Sequence, residues 1–517
     1  MDKEVYSNTT MTPKFKIPID FGTEETYREK FSEELLLKEF GKSAYEKIGS
    51  CDKAIRIKLE ADYLRQLTLS GAKKRFGEKI DTEMQERIDL ELQTIKTTGL
   101  SEYFLIVQDL INAMREINVL VSPGRGTTAS SIVAYSLHIT DVNPIKYKLQ
   151  FERFINTDRN LSLSIQFDFE NEGRETAIRY LTEKFGKERA IRVITNKEID
   201  TELAYSEKGN RIVELESTPW ENIAYPVEII IGAENPTDLS VFTIINKETK
   251  EEILASKSYN PKSVEIYFTG LAQLSVIKKT LSNIQKSKHI AIDIDNIPLD
   301  DTKVYELFSQ GKTNGVFQFE SQGIQNYLQE LQPSRLEELI AMYALYRPGA
   351  MEYIPEFIDR KHGRKEITYD FSEMEKYLKE TYGVIIYQEQ IMQMSRELAG
   401  FTGNQADTLR RLLGTKRQPD LGLMKEQFFS GAKKNGFGSV EKLEKVWNDW
   451  YKFSAYAFNK SHSVSYTLIA YQTAWLKANY PLEYMSALIS ESHKDDWRIP
   501  MYLEECKAMG INPDNFN

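Results

Sequence analysis

The stretch NLSLSIQFDFENEGR, residues 160–174, decides how the chain is read. Leu161, Leu163, Ile165, Phe167 and Phe169 alternate with Ser162, Ser164, Gln166, Asp168 and Glu170. A period of two assigns a short strand over 161–169, apolar on one face and polar on the other. That polar face opens on a hydroxyl and an amide and gains carboxylates only at its end. GRETAIRYLTEKFG, residues 173–186, follows as a helix closed by Gly186.

Around this strand lie 517 residues, more than one core sustains, so roughly two to four domains are expected. Hydrophobic residues make up 41% and charged residues 28%, an ordinary globular composition. Mean hydropathy is -0.47 and no apolar run is long enough to span a membrane. The start, MDKEVYSNTTMTPKFKIPID, lacks the apolar core of a signal peptide. Two cysteines, Cys51 and Cys506, point to a reducing, cytoplasmic setting, and five scattered histidines form no zinc signature. The net charge of -10 argues against a uniformly basic DNA-coating surface. Local basic clusters do occur, in RKHGRK (360–365), RRLLGTKR (410–417) and FNKSH (458–462). A charge cluster alone reads as a solvated face.

Outward from the strand, residues 24–117 carry a helical period. INVLVSPGRGTTASSIVAYSL, 117–137, reads as strand, Gly-rich turn and helix. Residues 190–262 break into short strands and turns, and SVEIYFTGL, 263–271, alternates as a further strand. From about residue 300 the pattern is mostly helical.

Three places could carry chemistry. SPGRGTTASS, 122–131, sets two glycines and Arg125 at a turn into a helix, where backbone amides and a guanidinium suit a phosphate. ALYRPGA (344–350) and AFNKSHS (457–463) each place a lone cation in a rigid or helix-capping context. AIDIDNIPLDD, 291–301, aims Asp293 and Asp295 one way, yet it runs through a proline into a polar turn and reads as a linker.

In order along the chain, YFLIVQDLI, PGRGTTASSIVAY, ITDVNPIKYKLQFERFIN, NIPLDDTKVYELF, GVFQFES, ALYRPGA, RKHG, ETYGVIIYQEQIMQ, DTLRRLLGTKR and AFNKSHSVSYTLIAYQTAWLKANYP resemble the alpha subunit of bacterial DNA polymerase III, the C-family polymerases. The resemblance runs from about Thr26 to Asn517 and is poor only over 190–262. It implies a multidomain α+β fold: a polymerase-beta-like nucleotidyltransferase palm of mixed sheet and helices, a small thumb-like insertion and a large, mostly helical fingers domain. The boundaries expected are 1–75 for an N-terminal arm and helical lead-in, 76–190 and 226–290 for the palm, 191–225 for a reduced thumb, and 291–517 for the fingers. The resemblance implies that Gly124, Arg125, Gly126 and Thr127 form the turn for the incoming triphosphate, with Thr127 where serine is usual. It implies that Arg347, Arg410, Arg411, Lys416, Lys460 and His462 line the path of nucleotide and template.

The family's palm strand reads Pro-Asp-x-Asp-x-Asp-Phe. Its first two aspartates, with a third on a later strand before Gly-Leu, hold two magnesium ions. Aligned on FDF, Asp168 matches the last, non-catalytic aspartate, and the metal positions fall on Ser164, Gln166 and Tyr267. None brings the negative charge that magnesium ligands normally supply. A rescue by Asp168 and Glu170 would slide the site by roughly 6.6 Å and 13 Å. Two catalytic metals sit only about 3.5–4 Å apart. Glu265, two residues before Tyr267, is equally out of register.

The expectation is therefore a pseudo-polymerase without metal or other cofactor, with no catalytic residue of its own. Its partners would be primer-template or single-stranded DNA, a nucleoside triphosphate, and another protein subunit of a replication, phage, mobile-element or defence system, with no membrane. The family's metal-binding phosphoesterase domain and its clamp-binding and tau-binding regions are not seen in the sequence. The rival enzyme reading is a magnesium-dependent, template-directed polymerase using displaced carboxylates, Asp168 and Glu170. The rival interaction reading is a protein-binding module without DNA affinity.

Overall fold

The computed structural model describes residues 15–517 except 78–79, 159–163, 187–189, 196–203, 206–210, 216–226, 232–240, 247–251, 257–263, 418, 514–515 and 517; for Ser164 and for strands between 190 and 265 only the backbone is described. The chain divides into two compact units. One comprises Met1–Gly124, Ser131–Ile145 and Arg159–Leu271, the other Arg125–Ser130, Lys146–Asp158 and Ala272–Asn517.

The first unit opens with helices Glu24–Lys30, Glu33–Phe40, Lys42–Ile48, Cys51–Phe76, Thr82–Thr97 and Ser101–Glu116. Thr23, Ser32, Ser50 and Asp81 each cap a start by accepting a backbone N–H three residues on, which satisfies a donor the helix leaves orphaned. Helix Ser101–Glu116 is the core element, with Phe104, Leu105, Ile106, Val107, Leu110 and Ile111 fully buried. Helix Cys51–Phe76 passes so near the short helix Ile132–Ser136 that a Cβ on Gly71 would stand 1.9 Å from the Ser136 carbonyl oxygen. Only glycine fits there.

Eight strands form one mixed sheet: β1 Ser164–Phe169, β2 Ala190–Thr195, β3 Ala204–Tyr205, β4 Arg211–Leu215, β5 Val227–Ile231, β6 Val241–Asn246, β7 Glu252–Ser256 and β8 Val264–Gly270. Their order is β1-β8-β5-β2-β7-β6-β4-β3. β1 and β8 run parallel, and β5 joins β8 antiparallel. Strands from 191–225 and from 226–290 thus share one sheet. Helix Asn171–Phe185 leaves β1, packs on β1 and β8, and ends at Gly186 with φ 89°. Phe169 stacks on Phe268 with ring centroids 5.6 Å apart.

Two expectations are corrected here. The expected division of the first strand into an apolar and a polar face does not carry over into burial. Asp168 and Glu170 are as buried as Ile165 and Phe169, and Gln166 is half-buried. The reason is an edge interaction that alternation does not encode: Ser122 donates to the Asp168 carbonyl at 2.9 Å, and Glu170 donates to the Leu120 carbonyl at 3.1 Å. The strand expected at 117–122 is reduced to that contact and a bridge from Val121 to Phe169. Residues 161–163 of the expected strand lie outside the described residues.

Nor does the Gly-rich turn run straight into a helix. A single 3-10 turn, Thr128–Ser130, intervenes before Ile132–Ser136. The start of that helix is already occupied within the first unit. Buried Glu91 accepts from the Ser131 hydroxyl at 2.7 Å and from the Val133 N–H at 3.2 Å. Burial pushes the Glu91 carboxyl above its usual range, against the pull of Arg87 and these donors.

The second unit is helical. Its central helix, Lys460–Asn479, is buried nearly all round, which its even spread of apolar and small residues permits. Ser463 donates to the Ile340 carbonyl at 2.6 Å, so its hydroxyl is satisfied in the interior. A second core gathers helices Gln388–Ala399, Gly403–Thr415, Asp420–Lys434 and Val440–Phe453 around Phe428, Trp447 and Trp450. Within the segment 291–301 a 3-10 turn, Ile294–Asn296, is capped by Asp293, which accepts from the Asp295 N–H and from the Asn296 amide.

Candidate functional site

In the first unit, the β1–β8 ladder pairs Ser164 with Glu265, Gln166 with Tyr267 and Asp168 with Thr269. Two of the positions expected to carry metal ligands, Gln166 and Tyr267, are therefore direct neighbours across the ladder. The backbone geometry of a shared site is present, but its donors are an amide and a phenol. Among the described residues no group of three or more His, Cys, Asp or Glu is arranged to hold a metal ion. Two magnesium ions require oxygen donors with charge, and this donor set does not fit them.

The expected triphosphate turn divides between the units after Gly124. Gly126 has φ 62°, a left-handed conformation that glycine adopts without strain. Its carbonyl accepts from the Ser461 hydroxyl at 2.7 Å, which pins the turn to the first turn of helix Lys460–Asn479. Sequence reasoning missed Ser461. Its only signal was Asn459, whose side chain accepts from the His462 N–H at 3.0 Å and caps that helix.

Around this contact the second unit collects Arg125, Arg347, Lys460 and His462. Arg347 donates from Nε to the Ala344 carbonyl and from Nη2 to the Tyr456 carbonyl, both at 2.8 Å, and lies over the Phe458 ring at 4.0 Å. Burial lowers its pKa. Lys460 is 5% exposed; its ammonium sits 2.8 Å from Glu380 and over the Tyr387 ring, and its backbone N–H donates to Glu389. Neither acid was foreseen from sequence: Glu380 compensates the Lys460 ammonium, and Glu389 satisfies its backbone N–H. His462 packs against Tyr466, Phe458 and Tyr343. Burial first, then the charges of Arg125 and Arg347, push its pKa down to about 4, so it is neutral at pH 7.

The remaining cations, Arg410 and Arg411 on helix Gly403–Thr415 and Lys416 at its C-cap, are not alike. Arg410 is tied to fully buried Asp407 at 2.5 Å. Arg411 and Lys416 are exposed, with Lys416 over the Tyr451 ring at 5.1 Å. Among the described residues no hydrogen bond, ion pair or ring contact joins these three to Arg347, Lys460 or His462. In RKHGRK, Arg360 and Lys365 pair with Glu356, Lys361 with Glu338 and Arg364 with Asp359. That stretch is a compensated surface.

Two family models match the chain: the bacterial DNA polymerase III alpha NTPase domain over residues 62–268, and the bacterial DNA polymerase III alpha subunit finger domain over residues 273–436. The second match begins where the second unit takes over. The DNA polymerase III subunit alpha of Bacillus subtilis (strain 168) is 35% identical over 505 residues, covering 87% of this chain and 45% of the relative. That of Aquifex aeolicus (strain VF5) is 35% identical over 537 residues, covering 88% and 46%. That of Halalkalibacterium halodurans is 33% identical over 500 residues, covering 87% and 45%. The chain spans about half the length of the curated relatives it matches. Both matched models, like all three relatives, are polymerase III alpha, and the chain belongs to the bacterial DNA polymerase III alpha subunit family.

Proposed function

We propose that the chain is a polymerase III alpha-like core that binds nucleotide or nucleic acid through its second unit and does not itself transfer nucleotides. The observation that carries this reading is the pairing of Gln166 with Tyr267. Phosphoryl transfer leaves the protein little covalent work and depends on metals that neutralise the triphosphate and activate the primer hydroxyl. An amide beside a phenol, with serine at position 164, brings no charge to hold them. Asp168 and Glu170 are poor replacements. Each is at least two residues, about 6.6 Å, along the strand, and both are buried.

In this reading residues 76–190 and 226–290 form the palm, 191–225 a reduced thumb and 291–517 the fingers. The partners are primer-template or single-stranded DNA, a nucleoside triphosphate and a further protein subunit, in a cytoplasmic replication, phage, mobile-element or defence system. Primer extension with magnesium or manganese tests it. No incorporation is expected from the unmodified protein. Robust incorporation that Asp168→Asn or Glu170→Gln abolishes overturns it in favour of a working polymerase. Fluorescence anisotropy with primer-template DNA at two salt concentrations tests the binding half, and no binding at either makes the chain a protein-interaction module.

A further inference from the structure

His462 stands among aromatic rings beside two cations. Its ring is 4.4 Å from Tyr466, 5.7 Å from Phe458 and 6.2 Å from Tyr343, centroid to centroid. Among the described residues neither ring nitrogen has a hydrogen-bond partner, and the residue is half-buried, so the ring still reaches solvent. Among the described residues the charges that act on its pKa are those of Arg125 and Arg347. Arg125 comes from the turn and Arg347 from the bend after helix Leu336–Leu345. Its own helix adds the positive end of its dipole. Lys460 is offset by Glu380, and Glu389 is engaged with the Lys460 backbone N–H. Arg347 makes no ion pair among the described residues, and two of its donors are spent on carbonyls, which do not cancel its charge.

We infer that a polyphosphate anion of the triphosphate class, seated beside Arg347 and His462, binds together with one proton, which His462 takes from solvent. This rests on the proposed nucleotide-binding reading and adds a regulation to it. The anion replaces a field that repels a proton with one that attracts it, and the ring then offers an N–H to a phosphate oxygen. The linkage has one sign: affinity rises as pH falls below the bound-state pKa, by at most about tenfold per pH unit for one proton, and levels off at the free-state pKa.

The test uses the full chain labelled with 15N-histidine, with inorganic triphosphate as the probe. Loss of one ring signal in His462→Gln assigns His462 among the five histidines. On adding triphosphate near pH 6, where the free imidazole is neutral, the His462 signals move to imidazolium values. Titration calorimetry in buffers of different ionisation heat shows proton uptake that exceeds that of His462→Gln, a difference that removes triphosphate's own protonation. Saturable binding with His462 still neutral overturns the inference and leaves the binding reading intact. No binding of triphosphate by the unmodified protein overturns the inference together with the nucleotide half of the binding reading, and the calorimetric isotherm itself tells the two failures apart.

Discussion

In the parallel ladder of β1 and β8, Gln166 lies opposite Tyr267. Neighbouring strands are about 4.8 Å apart, so two carboxylates at these positions would reach one cation between them. Ser164→Asp, Gln166→Asp and Tyr267→Asp combined should therefore give magnesium-dependent incorporation in primer extension where the unmodified chain gives none. If the triple variant stays inactive while folded by circular dichroism, the loss extends beyond the metal ligands.

Asp407 is fully buried and holds Arg410 at 2.5 Å and the Asn156 amide at 2.8 Å, with Arg153 at 3.9 Å. Removing it strands a guanidinium and an amide inside the second unit. Asp407→Ala should lower stability by about 3 kcal/mol, read as the urea midpoint at unchanged slope. A change under about 0.5 kcal/mol would mean that water takes over both donors.

Much of this architecture is legible in local sequence. Ser32, Ser50, Asp81 and Asn459 each precede a helix and cap it, and SVEIYFTGL alternates as β8 does. The Asp407–Arg410 pair, three residues apart on one helix, follows from helical spacing. What stays hidden depends on partners far along the chain. Lys460 meets Glu380 across 80 residues, and Ser461 meets Gly126 across 335. Alternation in β1 reports the chemistry of its own side chains, not the segment 120–122 that lies along its edge. The cations of the site are thus visible in sequence, and the acids that neutralise some of them are not.

Glu60 gives a pH signature in the first unit. It is 3% exposed and bonded to Arg56, which also pairs with Glu102 at 3.6 Å and Glu24 at 3.4 Å. Burial first, then the Glu102 charge, push its pKa up to about 8, with Arg56 opposing. A carboxyl raised on folding favours the folded state below its unfolded pKa, near 4.3, and that contribution is lost as pH climbs through the folded value. Stability of this unit should fall from about pH 5 to about pH 8. Glu60→Gln keeps an acceptor for Arg56 and should flatten the fall, raising Tm more at the upper pH. Equal shifts at both ends would show Glu60 ionised throughout.

Arg411 and Lys416 differ from Arg410 in having no carboxylate within ion-pair distance among the described residues, and both are exposed. Lys416 ends its helix at φ 52° and lies over Tyr451, which directs the ammonium without neutralising it. Such cations release counterions when they meet phosphates, whereas Arg410 is already committed to Asp407. Arg411→Ala and Lys416→Ala should each reduce the slope of log K against log salt for DNA by about 0.7–0.9, with stability changed by less than about 0.5 kcal/mol. Arg410→Ala should do the reverse: a stability loss from uncovering Asp407 and little change in slope. Anisotropy titrations across a salt series, paired with urea unfolding, separate the two behaviours. Unchanged slopes in both exposed-cation variants would move the nucleic-acid contact away from helix Gly403–Thr415, toward the turn pinned by Ser461.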